Sequence, residues 1–228
     1  MLFCLDPDDK GRSEDAMRCK YVEKNFFPIM AEVLFICCCL TAPKEYLIYL
    51  DFLFYASLAL YFYIRKDFSL KEWMDALKSG KKFWVQVIRT ILFFALSFAL
   101  TSTLEKIFPD LDKGMLLLRA KSRLELFLFA ASTIVLPPIV EETFYRKNLI
   151  SFKSDPILIS TTLLGMILYA LEHALMPWGI FLCMIWALPL SISYIKTKNI
   201  YVPMTAHLIC NLIINGITVV QLFVFVIE

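Results

Sequence analysis

Apolar stretches long enough to cross a lipid bilayer recur along this chain from residue 26 to the C-terminal end. A helical span needs about 20 mostly apolar residues. Hydrophobic residues make up 59% of the 228 and charged residues 19%, against about 45–50% and about 25% in soluble domains. Since no polar segment is long enough to fold alone, the pattern predicts an all-α, polytopic membrane protein and excludes a soluble domain.

Seven stretches fit such spans, at residues 26–40, 46–64, 83–104, 124–146, 156–175, 178–195 and 200–227. The first is short and contains Glu32. The last is long enough to break near Asn215 and Gly216 into two spans, so the sequence predicts seven to eight transmembrane helices. We divide the chain into an N-terminal segment (1–25), N-terminal transmembrane helices (26–123) and a C-terminal transmembrane core (124–228).

The distribution of basic residues predicts the orientation. Of the 23 Lys and Arg residues, 16 lie in the N-terminal segment and on the same side of the membrane, and six lie on the opposite side. Cytoplasmic loops carry the excess of basic residues. We therefore expect an integral membrane protein with a cytoplasmic N-terminal segment. The seven cysteines lie mostly inside spans and lack zinc-ligand spacing, so neither a disulfide framework nor a zinc-finger site is predicted.

Three stretches of the C-terminal core contain polar residues four positions apart. These pairs are Glu142 with Arg146, Tyr169 with His173, and His207 with Asn211. Residues four apart lie on one face of a helix. A charged group at bilayer depth costs at least about 2.5–3.5 kcal/mol, so a chain that retains several usually needs them for function.

Local spacing suggests a role for each carboxylate. Glu142 precedes Arg146 by four residues, the favourable order for a helical ion pair. Glu141 points about 100° away from Glu142 on a helix, so we expect it to have a separate role and no local partner. Glu172 is a possible hydrogen-bond partner for His173. The alternative is that the charged residues snorkel at the inner membrane surface and the histidines are structural.

The ordered motifs resemble those of the CPBP intramembrane proteases. Glu-Glu-Thr-Phe-Tyr-Arg occupies residues 141–146, and the Tyr169–His173 and His207–Asn211 pairs follow in order. The CPBP family includes type II CAAX prenyl endopeptidases and bacterial Abi-type proteins linked to bacteriocin processing and self-immunity. The family usually has Phe where this chain has Tyr169. The resemblance covers about residues 124–215.

The resemblance implies an enzyme that hydrolyses a peptide bond of a membrane-associated peptide or protein. Glu141 and His173 would activate a water molecule, and His207 and Asn211 would stabilise the oxyanion. Glu142, Arg146 and Tyr169 would support these residues. The implied partners are the lipid bilayer and a hydrophobic or lipidated peptide in or near the inner leaflet, with no nucleic acid. The implied location is a bacterial plasma membrane.

A zinc-dependent mechanism is the alternative, because the family is also described as metalloproteases. Glu141, His173 and His207 would then be the ligands of a catalytic zinc ion with water in the fourth position. Glu142 would have to act as the base, although it is the residue best placed to pair with Arg146. We favour a mechanism without a metal or other cofactor, and the sequence leaves zinc open.

Two other functions fit intramembrane polar residues. One is a non-catalytic immunity or scaffold protein that binds a peptide partner. The other is a proton-coupled carrier, which predicts internal repeats that the sequence lacks.

A protease active site formed by Glu141 and His173 also constrains the arrangement of the helices. Counted from the loop near residue 151, Glu141 and His173 differ in depth by roughly 12 Å, so the fifth span must begin outside the membrane or tilt strongly.

Overall fold

The computed structural model describes the backbone of residues 7–227 and the side chains of residues 23–224, so the first six residues of the predicted N-terminal segment lie outside it. The prediction of an all-helical fold is confirmed. The α-helices are α1 (Pro7–Thr41), α2 (Leu47–Ile64), α3 (Leu70–Leu77), α4 (Lys81–Ile107), α5 (Arg123–Ala130), α6 (Leu136–Glu141), α7 (Asp155–Leu171), α8 (Pro177–Thr197) and α9 (Tyr201–Ile227).

Six segments of the described chain are long and apolar enough to cross a membrane. They are Glu23–Thr41, Lys44–Ile64, Lys81–Ile107, Arg123–Asn148, Pro177–Thr197 and Tyr201–Val224. The remaining predicted span, the fifth, corresponds to α7, a shorter apolar helix of 17 residues. Helix α9 runs without a break past Gly216, so the stretch that allowed an eighth span is a single helix. Helix α1 likewise continues through residue 25, where we had placed a boundary.

The span Arg123–Asn148 is a composite helix. Ser122 caps its start by accepting a hydrogen bond from the Glu125 backbone N–H at 3.2 Å. Helices α5 and α6 are separated by a π-helical turn, Ala131–Val135, and a second one, Glu142–Asn148, follows α6. π-helical turns inside longer helices are rare and frequently occur at functional sites.

Two consecutive prolines explain a contact between this composite helix and α9. Pro137 and Pro138 have no backbone N–H, so the carbonyl of Thr133 loses both its α-helical and its π-helical donor. The Asn215 side chain donates to that carbonyl at 2.9 Å. A backbone group at membrane depth must be satisfied internally, and α9 supplies the missing donor.

Helix α7 meets the composite helix at Gly165. A Cβ atom at Gly165 would lie 2.8 Å from the carbonyl oxygen of Tyr145. Gly165 lies ten residues after the start of α7, whereas Tyr145 lies only three residues before the end of the composite helix. Helix α7 therefore begins beyond the end of the composite helix or tilts against it, as the depth difference between Glu141 and His173 had predicted.

The segment between α4 and α5 packs on the turn that follows α7. The Leu116 N–H donates to the His173 carbonyl at 2.9 Å, and the Leu175 N–H donates to the Gly114 carbonyl at 3.0 Å. Gly179 is required here, because a Cβ atom would lie 1.9 Å from the Lys113 carbonyl oxygen. These contacts fix the backbone that carries His173.

Helix α3 connects two of the spans, α2 and α4. Its Trp73 is buried and donates through Nε1 to Thr205 Oγ1 at 2.8 Å. Thr205 precedes His207 by two residues, so α3 anchors the first turns of α9.

Candidate active site

A cavity of about 410 Å³ brings the four predicted catalytic residues together. Glu141, His173, His207 and Asn211 all line it, so the three motif-bearing segments converge as predicted. Its walls are largely aromatic and aliphatic, and include Phe35, Leu47, Phe94, Phe98, Leu116, Leu117, Phe129 and Trp186. The site therefore combines a few polar groups with an apolar lining, the usual character of a small-ligand or peptide pocket.

Glu142 has two partners inside the protein. Its Oε1 atom lies 3.2 Å from Nη1 of Arg146 and 3.0 Å from Nδ1 of His207. Glu142 and Arg146 are buried almost completely. Arg146 also donates to the Ala187 carbonyl on α8 at 3.3 Å. The predicted Glu142–Arg146 ion pair is present, and the contact with His207 adds a role that spacing did not predict.

His207 lies between the two adjacent glutamates. Its Nδ1 atom donates to the ion-paired Glu142, and its Nε2 atom is 3.9 Å from Oε2 of Glu141. The ring of Phe94 covers one side, with its centroid 6.2 Å away. Glu142 therefore hydrogen-bonds His207, whereas Glu141 lies near the other ring nitrogen without a hydrogen bond to it.

His173 is held by the residue one helical turn before it. The Tyr169 carbonyl can only accept, so Nδ1 of His173 donates to it at 2.9 Å and Nε2 keeps its lone pair. The two rings stack with centroids 4.6 Å apart, and the Arg146 guanidinium lies 5.0 Å from the centroid of Tyr169. Tyr169 thus makes the ring contacts that a Phe would make.

Glu172 is not the partner of His173, contrary to expectation. Its carboxylate instead contacts two buried tyrosines: Tyr55, with 3.1 Å between the hydroxyl and Oε2, and Tyr145. The turn after α7 explains this outcome, since the side chains of residues 172 and 173 leave the backbone in different directions. Glu172 faces α2, whereas His173 folds back on Tyr169.

A chain of hydrogen bonds extends from Glu141 to α1. The Tyr55 hydroxyl lies 2.7 Å from Oε1 of Glu141 and also contacts Glu172, and the Tyr145 hydroxyl lies 2.6 Å from Oε2 of Glu32. A tyrosine hydroxyl has one proton to donate. The Tyr55 hydroxyl can donate its proton to only one of the two carboxyl groups. The other carboxyl group must therefore carry a proton and donate it to the Tyr55 oxygen.

Sequence reasoning missed most of this chain. The contacts of Tyr55 and Tyr145 join residues far apart in sequence and leave no periodic pattern. Glu32 did leave a signal, since it is an acid inside an apolar stretch. Ionisable residues inside a membrane span usually indicate a functional site, and this rule, which we applied to Glu141, applies equally to Glu32 and Asp51.

The three proposed zinc ligands do not form a metal site in this arrangement. Within the side chains of residues 23–224, no group of three or more His, Cys, Asp or Glu residues is placed to hold a metal ion. Glu141, His173 and His207 share the cavity without converging on one point. No step of the mechanism below passes through a metal, and metal dependence stays a prediction.

Comparison with known proteins supports the resemblance drawn from the motifs. Residues 123–213 match the family model described as Type II CAAX prenyl endopeptidase Rce1-like. This region is similar to members of that family. The Rce1-like region contains all seven motif residues and begins where the composite helix begins. No curated protein and no solved structure matches the chain.

The family and the apolar helices together define the general class of the protein. It is an integral membrane protein with an Rce1-like region of the CAAX endopeptidase type. The match covers less than half of the chain, so α1 to α4 are described from the structure alone. The link to bacteriocin immunity, which came from the Abi-type relatives, stays a prediction.

Proposed function

We propose that this protein is an intramembrane endopeptidase that hydrolyses a peptide bond of a membrane-associated substrate with a water molecule activated by Glu141 and His173. The observation that carries the proposal is the single cavity shared by Glu141, His173, His207 and Asn211. Four polar residues from three helices meet inside apolar walls, where a peptide backbone and a water molecule can be held together.

The first step is removal of a proton from water. His173 has Nδ1 occupied by the Tyr169 carbonyl, so its free Nε2 is the acceptor available to water. Glu141 has Oε1 occupied by Tyr55, and its Oε2 has no hydrogen-bond partner. One of these atoms accepts the proton as the water oxygen attacks the peptide carbonyl. The proton then passes to the leaving amine.

The second requirement is stabilisation of the oxyanion. The Asn211 amide is a neutral donor on the cavity wall. His207 donates Nδ1–H to Glu142, so it offers a second donor at Nε2 when the ring is protonated. Each oxyanion donor is typically worth about 10²–10³ in rate.

The position of the cavity limits how a substrate reaches it. Besides the motif residues, its lining includes residues from the second half of α1, the first half of α2, residues 115–118 and residues 129–133 of the composite helix. All of these lie in the half of the bundle away from the N-terminal end of α1. With the N-terminal segment in the cytoplasm, the cavity extends toward the outer leaflet.

The proposal favours hydrophobic peptides or peptide tails, lipidated ones included, because aromatic and aliphatic side chains dominate the walls. Purified protein should cleave such peptides in detergent or liposomes, with products identified by mass spectrometry. Glu141→Ala and His173→Ala should abolish cleavage without changing the elution volume or the melting temperature much. Equal cleavage by both variants and the wild type would refute the proposal that Glu141 and His173 activate the water molecule.

The side on which the cavity opens is measured separately. Ser79→Cys and Lys121→Cys place a thiol in exposed loops on the two sides of the bundle. In intact cells, a membrane-impermeant maleimide should label position 121 and not position 79. Labelling of position 79 alone would reverse the orientation and direct the cavity toward the cytoplasm.

A further inference from the structure

Asp51 is a buried acid on the wall of the cavity that the mechanism above does not use. It lies on α2, one helical turn before Tyr55, and only 8% of its surface is exposed. Its side chain lines the cavity, and its Oδ2 atom has no hydrogen-bond partner. Leaving a buried charged acceptor unsatisfied is costly, so a side chain of this kind calls for an explanation.

The described side chains that act on Asp51 include no positive charge. Arg146, the buried cation nearest to the catalytic residues, is paired with Glu142 and the Ala187 carbonyl. None of the ion pairs formed by the described side chains includes Asp51. Ser132 lies next to Asp51 on the first π-helical turn, and its hydroxyl is a neutral group that adds no positive charge.

The unpartnered atoms of this cavity are thus mostly acceptors. Asp51 Oδ2 and Glu141 Oε2 both belong to lining residues and have no hydrogen bond at that atom. A ligand that fits them must bring hydrogen-bond donors, and one that fits Asp51 best also brings positive charge. The apolar walls would take the aliphatic stem of a basic side chain.

We propose that Asp51 forms a specificity subsite for a Lys or Arg side chain of the substrate, close to the bond that is cut. The inference rests on the proposed function, because it assigns one part of the same cavity. Asp51 and Tyr55 lie on one face of α2, and the Tyr55 hydroxyl contacts Glu141. One helical turn is about 5.4 Å. The basic residue therefore lies about one to three residues from the scissile bond, at roughly 3.3–3.6 Å per extended residue.

The test compares pairs of peptides that differ only by Lys or norleucine at one position near the cleaved bond. Wild-type protein should cleave the Lys peptide with about 10- to 100-fold higher kcat/KM, the range expected of a charge-assisted hydrogen bond. Asp51→Asn should remove that preference, and Asp51→Glu should keep part of it. Asp75→Asn, at an exposed acid on α3, should behave as the wild type.

The melting temperature of Asp51→Asn and the peptide affinity of Glu141→Ala complete the test. Because Asp51→Asn replaces a buried acid by a neutral side chain of nearly the same size, its melting temperature should equal or exceed that of the wild type. With Glu141→Ala, the Lys peptide should bind more tightly than the norleucine peptide. Cleavage with no Lys preference, or the same preference in Asp51→Asn, would overturn the subsite. Cleavage of neither peptide, with the Lys preference in binding kept, would overturn the protease and leave the subsite standing.

Discussion

At the level of single residues, the guanidinium of Arg146 holds Glu142, and Glu142 in turn holds His207. Arg146→Ala should leave a buried carboxylate without its partner and cost about 3–5 kcal/mol of folding free energy. The expected result is a lower yield of folded protein and a lower melting temperature in detergent. Arg119→Ala, at an exposed arginine, is the control.

An unchanged melting temperature for Arg146→Ala together with lost cleavage would contradict this structural role. It would make Arg146 a residue that binds the substrate directly.

Two asparagines on α9 allow a matched comparison. Asn211 and Asn215 are one turn apart and line the same cavity, but Asn215 already donates to the Thr133 carbonyl. Asn211→Ala should lower kcat about 10²–10³-fold with little change in stability. Asn215→Ala should lower stability by about 1 kcal/mol, the net value of one hydrogen bond, with kcat close to wild type. Similar losses of kcat in both variants would show that Asn211 does not stabilise the oxyanion.

At the level of helices, the close approach of α7 to the composite helix determines whether His173 can meet Glu141. Gly165→Ala would place a Cβ atom 2.8 Å from a backbone oxygen, so the helices must separate. We expect a stability loss of about 1–3 kcal/mol and a clear drop in cleavage. Gly216→Ala is the matched control, because its Cβ would meet no atom closer than 3.9 Å.

The control should be neutral or slightly stabilising, since Ala is preferred to Gly inside a helix by about 0.5–1 kcal/mol. Normal stability and activity in Gly165→Ala would show that the α7 contact does not position the site.

The helices and the local pairs could be predicted from the sequence, because both depend on residues close together in the chain. Apolar runs indicate spans, and the Glu142–Arg146 spacing indicates an ion pair. The bond between Tyr55 and Glu141 joins residues 86 positions apart, so no local spacing predicts it. The π-helical turns also leave no periodic signal.

At the level of the whole molecule, dependence on zinc distinguishes a metalloprotease from a protease that uses Glu141 and His173 alone to activate water. Glu141, His173 and His207 do not converge as ligands in this arrangement, so we expect cleavage to survive exhaustive chelation. Elemental analysis of the purified protein should find no stoichiometric zinc. About one zinc ion per chain, with activity lost on chelation and restored by added zinc, would reassign the three residues as ligands.

The central claim is hydrolysis by a water molecule that Glu141 helps to activate in the cavity of the Rce1-like region. The most direct measurement is peptide cleavage in water enriched in ¹⁸O, followed by mass spectrometry of the products. The account predicts that wild-type protein adds one ¹⁸O atom to the new C-terminal carboxylate and that Glu141→Ala forms no product. Cleavage by Glu141→Ala at the wild-type rate, or no cleavage of any membrane-associated peptide by the wild type, would contradict it.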